Sequence, residues 1–387
     1  MSSNELLFNP EVQTYARFPI RADHGKGVYL YDESGKEFID LYGGHCVTIL
    51  GHSPDSVVNA ISDQANKLIF YSNVVHSSLR EEATALLSSL APFEKSSVFY
   101  CNSGTEANEN AIKISWQVTG KHHLIAFKGS FHGRTLASIS ATDSAKMHKN
   151  LATERPTVHF VEANDHTGIE ELFKNYPIGG IILEPIQSMN GMWCFPKSDL
   201  AFLRTICTQN NALLIFDEVQ TGVGRTGTFS YSDTIGVYPD VITMAKSLAS
   251  GIPIGAVIMP ESISSHIKSG DLGTTFGGGM IAMAAHKATI QEIKDQNLMN
   301  HATELFDYAT KRCAEIGIGI RGKGCLIGLV FSEDTKEIRA ELMKKGYITG
   351  SSNQANVMRL MPPINTPKEI FEQFFNDLAL ILSQKNN

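Results

Sequence analysis

No apolar run in this 387-residue chain approaches the roughly 20 residues that cross a bilayer as a helix, so no membrane span is expected. A basic excess is also missing. Lys and Arg number 33 against 40 Asp and Glu, and the net charge of −7 gives no general attraction to phosphate backbones or anionic lipid. Neither nucleic acid nor a membrane is an expected partner. The six cysteines, Cys46, Cys101, Cys194, Cys207, Cys313 and Cys325, form no CxxC and no metal-like spacing with histidine. They read as small buried hydrophobes, and the histidine-bearing stretches "KHHL" and "FHGRT" make no recognisable metal site. The opening "MSSNELLFNPEVQTYARFPI" has neither a basic region followed by an apolar core nor an Arg-rich amphipathic face. A cytosolic protein with reduced thiols is expected. Repeats, low-complexity tracts and flexible linkers are absent as well.

What the chain does contain is a rhythm. From about residue 97 short apolar runs alternate with helical stretches: "SVFYC", "HLIAF", "TVHFV", "GIILEP", "ALLIFD", "DVITMA" and "GAVIMP". Continuous apolar runs this short suit strands covered on both faces, which predicts an α/β core with a mainly parallel sheet between helices. Ser103 and Ser198 stand where helix caps are expected. Beyond residue 260 long helical stretches, about 280–315 and 367–384, surround short strands such as "GLVF" and "VMRLM". This divides the chain into an N-terminal segment, residues 1–50, a large domain, 51–260, and a small α+β domain, 261–387. The hairpin expected in "GVYLYDESGKEFIDL", turned at "ESGK", is placed with the small domain.

Ligands in open α/β sheets bind beyond the carboxyl ends of the strands, so the residues that follow each apolar run are the candidates. "NSGTEAN", "KGSFHGRT", "IQSMNG", "DEVQTG" and "AKSLASG" occupy those places. Ser103, Gly104 and Thr105 open a helix whose free N–H groups suit a phosphate, although a plain cap reads the same way. Lys246 directly follows an apolar strand. Desolvation there would lower its pKa and favour the neutral amine that attacks a carbonyl, whereas an ordinary lysine snorkels to solvent. Asp217 is a carboxylate delivered to the end of a buried strand, where it needs a partner, and a protonated pyridine nitrogen would serve. A phosphate site, an amine nucleophile and a pyridinium partner together describe pyridoxal phosphate.

These motifs occur in an order that resembles the class III, ornithine-type aminotransferases, and most closely their acetylornithine and succinylornithine branch. The likeness runs from "GKGVYLYDESGKEFIDLYGGH" through "LGHSP", "NSGTEANE", "FHGRT", "ILEPIQ", "LIFDEVQTGVGRTG", "AKSLASGIPIGA" and "GTTFGG" to "VMRLMPPI". It implies an aspartate-aminotransferase-like fold, PLP fold type I, and pyridoxal 5′-phosphate as cofactor. By the same resemblance Lys246 carries the cofactor and moves the proton, and Asp217 meets the pyridine nitrogen. Val219 and Phe131, with His132 beside it, enclose the ring, while Gln220 approaches the ring hydroxyl. Ser103, Gly104 and Thr105 cradle the phosphate, and Thr275 reaches it from the neighbouring subunit of a homodimer with shared active sites. Arg134 and Arg359 match two carboxylate-binding arginines, with Glu184 pairing Arg359 until glutamate arrives. The activity implied is transfer of the terminal amino group of N-acetylornithine or N-succinylornithine to 2-oxoglutarate, in arginine biosynthesis.

Departures from that pattern leave alternatives open. His45 stands where ornithine-type enzymes often place a tyrosine, so it either hydrogen-bonds an acyl group or only fills space. "GGGM" replaces the usual "GGNP", and Ala249 occupies a common glycine position. Ornithine and 4-aminobutyrate are alternative amines. From other classes come a regulatory protein that keeps the fold without the reaction, and a nucleotide-binding protein suggested by "LLIFDE" and "GIGIRGKG". The latter lacks the hydroxyl that would hold magnesium, because Gly324 stands in its place.

Overall fold

The computed structural model describes residues 11–149, 151 and 154–385. Its large sheet has seven strands in the order Ser96–Cys101, Gly255–Pro260, Val241–Met244, Leu213–Asp217, Ile178–Leu183, His123–Phe127 and Val158–Val161. Gly255–Pro260 runs antiparallel to both of its neighbours, and the other pairings are parallel. Every residue of Ile178–Leu183 and of Leu213–Asp217 is buried, as continuous apolar strands require when helices cover both faces. The expected α/β sheet is therefore present.

Helix Gly104–Thr119 shows how one covering element is specified. Ala107, Ala111 and Ser115 recur at four-residue spacing on its buried face, so small side chains meet the sheet. Gly180 answers them: an added Cβ would come within 3.2 Å of the Ser115 hydroxyl. The Ser103 hydroxyl accepts a hydrogen bond from Glu106 N at 3.2 Å, and Gly120, at φ +67°, ends the helix. The cap expected at Ser198 does not form. Helix Lys197–Gln209 starts two residues earlier, with Pro196 at the cap position, because the fixed φ of the proline sets the entry of the chain.

The two chain ends meet in smaller sheets. Strands Tyr29–Asp32 and Glu37–Asp40 form the expected hairpin, with Asp32 Oδ1 accepting from Ser34 N and Lys36 N at 2.9 and 3.0 Å across its turn. Glu37–Asp40 then pairs in parallel with Tyr347–Ile348. A three-stranded sheet contains Gly319–Lys323, Leu326–Val330 and Val357–Leu360. The "GIGIRGKG" segment is thus one arm of a hairpin. A phosphate loop leads into a helix, and here a strand follows, which removes the nucleotide-binding alternative.

Helix Met280–Asp295 packs on Asp55–Lys67, on Ser78–Ser88 and on the short turn Lys246–Ala249, so its contacts run across residue 260. One apolar cluster continues from Ile242 and Met244 through Met283 and Leu298 to Phe371 and Leu378 of the last helix, Lys368–Lys385. Among the described residues no helix is long and apolar enough to cross a membrane.

Gly255 fixes the relation between the sheet and the start of helix Gly104–Thr119, since a Cβ there would lie 2.4 Å from Ser103 O and 2.7 Å from Cys101 Sγ. Gly255→Ala is expected to destabilise the protein by roughly 2–4 kcal/mol, read as a lowered urea midpoint at unchanged slope.

Candidate active site

A cavity of about 400 Å³ opens at the carboxyl ends of the parallel strands. Ser103, Gly104 and Thr105 line it from the start of their helix, and Phe131, His132 and Arg134 from the loop after His123–Phe127. Glu184, Asp217, Val219, Gln220 and Lys246 complete the part legible in the sequence. Gly104 is needed where it stands: a Cβ would come within 2.9 Å of both Val219 methyls.

Asp217 is 4 % exposed and is held by its neighbours. Its Oδ2 accepts from Asn108 Nδ2 at 2.7 Å and lies 2.8 Å from His132 Nδ1, while Oδ1 accepts from Val219 N at 3.1 Å. Asn108 is oriented in turn by donating to His132 O at 2.7 Å and accepting from the Thr243 hydroxyl at 2.7 Å. Adjacent Glu218 has a different task. Fully buried, it accepts from the Ser230 hydroxyl and from Tyr231 N at 2.5 and 2.6 Å, and so ties down the loop that follows the strand. Burial pushes its pKa up to about 7.

Lys246 follows strand Val241–Met244 with φ +45°, a left-handed conformation that costs roughly 1–3 kcal/mol for a residue with a Cβ. The turn it opens is fixed by His286, whose Nδ1 donates to Leu248 O at 3.0 Å. Desolvation lowers the Lys246 pKa against the pull of Cys46, Asp217 and Glu184, which favours the free amine.

The anion-binding groups are less uniform. Arg134 is exposed at the cavity and lies over the Tyr15 ring, 5.5 Å from its centre. Arg359 is 3 % exposed and donates to the Ser188 hydroxyl at 2.9 Å, to the Tyr42 hydroxyl at 3.2 Å and to Ser351 O. The expected pair with Glu184 is not formed. Glu184 accepts from Phe131 N at 2.9 Å, and burial, helped by the Asp217 charge, pushes its pKa up to about 8. A carboxylic acid kept neutral offers no anion to Arg359. Tyr42 also receives His45, with its hydroxyl 3.0 Å from His45 Nδ1. Thr275 is exposed and does not line the cavity of its own chain.

A family model described as Aminotransferase class-III matches residues 12–382. The chain belongs to this family. A class III aminotransferase accounts for the amine Lys246, the carboxylate Asp217 and the guanidinium of Arg134 gathered at one strand-end cavity. The chain is 36 % identical over 377 residues to the acetylornithine aminotransferase of Aquifex aeolicus, covering 96 % of this chain and 99 % of the relative. It is 36 % identical over 362 residues to that of Bacillus subtilis, covering 92 % and 93 %. Among solved structures, ornithine aminotransferase from Toxoplasma gondii superposes with a TM-score of 0.90 at 25 % identity, covering 97 % of this chain and 94 % of that one. N-acetylornithine aminotransferase from Stenotrophomonas maltophilia gives 0.81 at 28 %, covering 96 % and 97 %. The fold is thus PLP fold type I, and the chain is an aminotransferase.

Several residues of this aminotransferase site were not among those expected from the sequence. Asn108 had a signal available, as a polar amide one helical turn beyond Gly104 on a face otherwise made of Ala107, Ala111 and Ile112. For Tyr42, Ser188 and Thr243 the partners had no signal, since only the folded chain brings them to Arg359 and Asn108.

Glu184 gives a pH prediction. Its folded pKa, about 8, lies above the ordinary 4.5, so the native state binds more protons between those values and its contribution to stability falls as pH rises through them. Glu184→Gln keeps an acceptor for Phe131 N and has nothing to ionise. Urea midpoints of the apoprotein should therefore shift in favour of the variant between pH 5 and pH 9. Parallel pH profiles for the two proteins would refute the assignment.

Proposed function

We propose that the chain is a pyridoxal 5′-phosphate-dependent transaminase that moves the terminal amino group of N-acetylornithine, or N-succinylornithine, to 2-oxoglutarate. The products are glutamate and the semialdehyde, and the setting is arginine biosynthesis in the cytosol. The observation that carries this reading is a single cavity joining Lys246, Asp217 and Arg134. Relatives at 36 % identity named acetylornithine aminotransferase support the choice of amine. Six free cysteines suit a reducing compartment.

The residues present fit the cofactor. Asp217 is buried, and no lysine or arginine forms an ion pair with it among the described residues, so it retains an acceptor role for a ring N–H cation. Val219 and Phe131 supply apolar faces for a planar ring, Gln220 lies within reach of its edge, and Ser103, Gly104 and Thr105 offer backbone N–H groups for a phosphate. When bound, the cofactor supplies the electron sink that makes the carbon bearing the amine acidic and stores the amino group between half-reactions. Lys246 Nζ, whose pKa burial lowers, takes and returns the proton at that carbon. Arg134 receives the carboxylate of the acylated amine. Arg359 is released for the second carboxylate of 2-oxoglutarate and glutamate, since its present partners are neutral.

We also infer a homodimer with shared sites. Leu68, Ile69, Phe70, Tyr71, Val74 and Val75 are exposed in succession, and Phe276, 65 % exposed beside Thr275, packs 5.2 Å from the Phe70 ring. A patch of this kind calls for burial, and a second copy of the chain would place its Thr275 at the phosphate.

Lys246→Ala should lower turnover of N-acetylornithine with 2-oxoglutarate by at least about a thousandfold, measured as glutamate formed. Wild-type protein that converted only 4-aminobutyrate or free ornithine would overturn the acylornithine assignment. Mixing Lys246→Ala chains with Thr275→Ala chains should restore one competent site per heterodimer, seen as recovered activity after co-refolding. No recovery would argue against the shared site.

A further inference from the structure

An unbroken row of rings connects the two arginines. Arg134 lies over Tyr15 at 5.5 Å, Tyr15 meets His45 edge-on at 6.2 Å, His45 meets Tyr42 edge-on at 5.1 Å, and Arg359 lies over Tyr42 at 5.7 Å. His45 occupies the middle of this row. Its backbone is held against its own preference: Gly43, Gly44, His45 and Cys46 have φ of +56°, +54°, +71° and +63°, a left-handed turn in which only the glycines are at ease. Gly43 could not be replaced, since its Cβ would fall on Met361 O. Buried Asp40 clamps the turn by accepting from Gly44 N at 2.8 Å through Oδ2 and Tyr42 N at 2.9 Å through Oδ1, with His52 Nε2 3.0 Å from Oδ2.

The hydrogen bonds at Tyr42 set what the imidazole can offer. Arg359 Nη2 can only donate, so the Tyr42 oxygen accepts from it at 3.2 Å. A Tyr42 proton directed at His45 Nδ1, 3.0 Å away, completes this arrangement, whereas a protonated Nδ1 would donate to the Tyr42 oxygen instead. A neutral imidazole whose Nδ1 accepts must carry its proton on Nε2. Desolvation and the nearby charges of Lys246 and Arg359 keep the ring neutral, with its pKa pushed down to about 4. Among the described residues Nε2 makes no hydrogen bond.

We propose that the His45 Nε2–H donates a hydrogen bond to the acyl carbonyl of the amine substrate and so selects N-acylated ornithine over free ornithine. This rests on the acylornithine reading above. In such a substrate one carbon bears both the carboxylate and the acylamino group, so a carboxylate on Arg134 puts the amide oxygen close by, and His45 is two rings' contact from that arginine. Free ornithine would present an ammonium in the same place. Its N–H groups would face an N–H donor, with no acceptor offered by the ring.

The test compares two amines that share the carboxylate and the reacting end, N-acetylornithine and 5-aminopentanoate, in the half-reaction that consumes the bound aldehyde. The ratio of their kcat/KM values should fall about tenfold in His45→Phe and recover in part in His45→Gln, whose amide N–H can stand in for Nε2–H. Calorimetric binding of N-acetylnorvaline against pentanoate, neither of which reacts, should show the same loss of preference and does not depend on turnover. If the wild type fails to turn over N-acetylornithine, the underlying reading falls. If it succeeds and both ratios are unchanged in His45→Phe, the role given to His45 is wrong while the activity stands.

Discussion

A buried carboxylate at the end of a parallel strand organises this molecule. Asp217 gives up nearly all of its hydration, and every group that turns toward it, the Asn108 amide, the Val219 N–H and the His132 ring, comes from a different piece of backbone. Leaving such a charge without partners would cost several kcal/mol, so the placement of helix Gly104–Thr119 and of the loop after His123–Phe127 follows from satisfying it. The cavity sets this acid beside the apolar Val219 and Phe131. A planar cationic ring is the ligand that matches this distribution.

Much of this was legible in the sequence because parallel sheets write their chemistry at strand ends. Apolar runs followed at once by "DEVQTG" and "AKSLASG" place Asp217 and Lys246 without any tertiary knowledge. The helix cap at Ser103 was equally local. At Ser198 the same pattern failed, because the neighbouring Pro196 dictates where the chain can turn. The sequence could not show that Asn108 would orient Asp217, or that Tyr42 and Ser188 would hold Arg359, since these pairs are separated by 109, 317 and 171 residues. The left-handed turn at Gly43–Cys46 was only half visible. Two glycines permit it, but its continuation through His45 and Cys46 depends on Asp40 and on the crowding of Gly43 against Met361.

The Glu184–Arg359 pair failed for an electrostatic reason that no motif records. Glu184 and Asp217 share one dry region, and two carboxylates there cannot both ionise cheaply. Asp217 has three donors and Glu184 has one, so the proton belongs on Glu184. Arg359 is left to neutral partners, and its own burial weakens its hold on charge as well. The resulting site carries an under-compensated guanidinium.

For an enzyme that alternates between two substrates, neutral partners have an advantage over an ion pair. A carboxylate bound to Arg359 would have to be displaced before 2-oxoglutarate could enter, and restored before the next acylated amine. Hydroxyl and carbonyl partners need no such exchange: Ser188 and Ser351 can keep their contacts while an incoming carboxylate shares the remaining face. The Tyr42 hydroxyl links that event to His45 through a single proton. A carboxylate that drew Arg359 away from Tyr42 would free the Tyr42 oxygen and loosen the tautomer of His45 at the stage when no acyl group is present to be read. The carboxylate site and the acyl site would then be coupled through one hydroxyl, and the strained turn at Gly43–Cys46 is what keeps that hydroxyl and the imidazole in register.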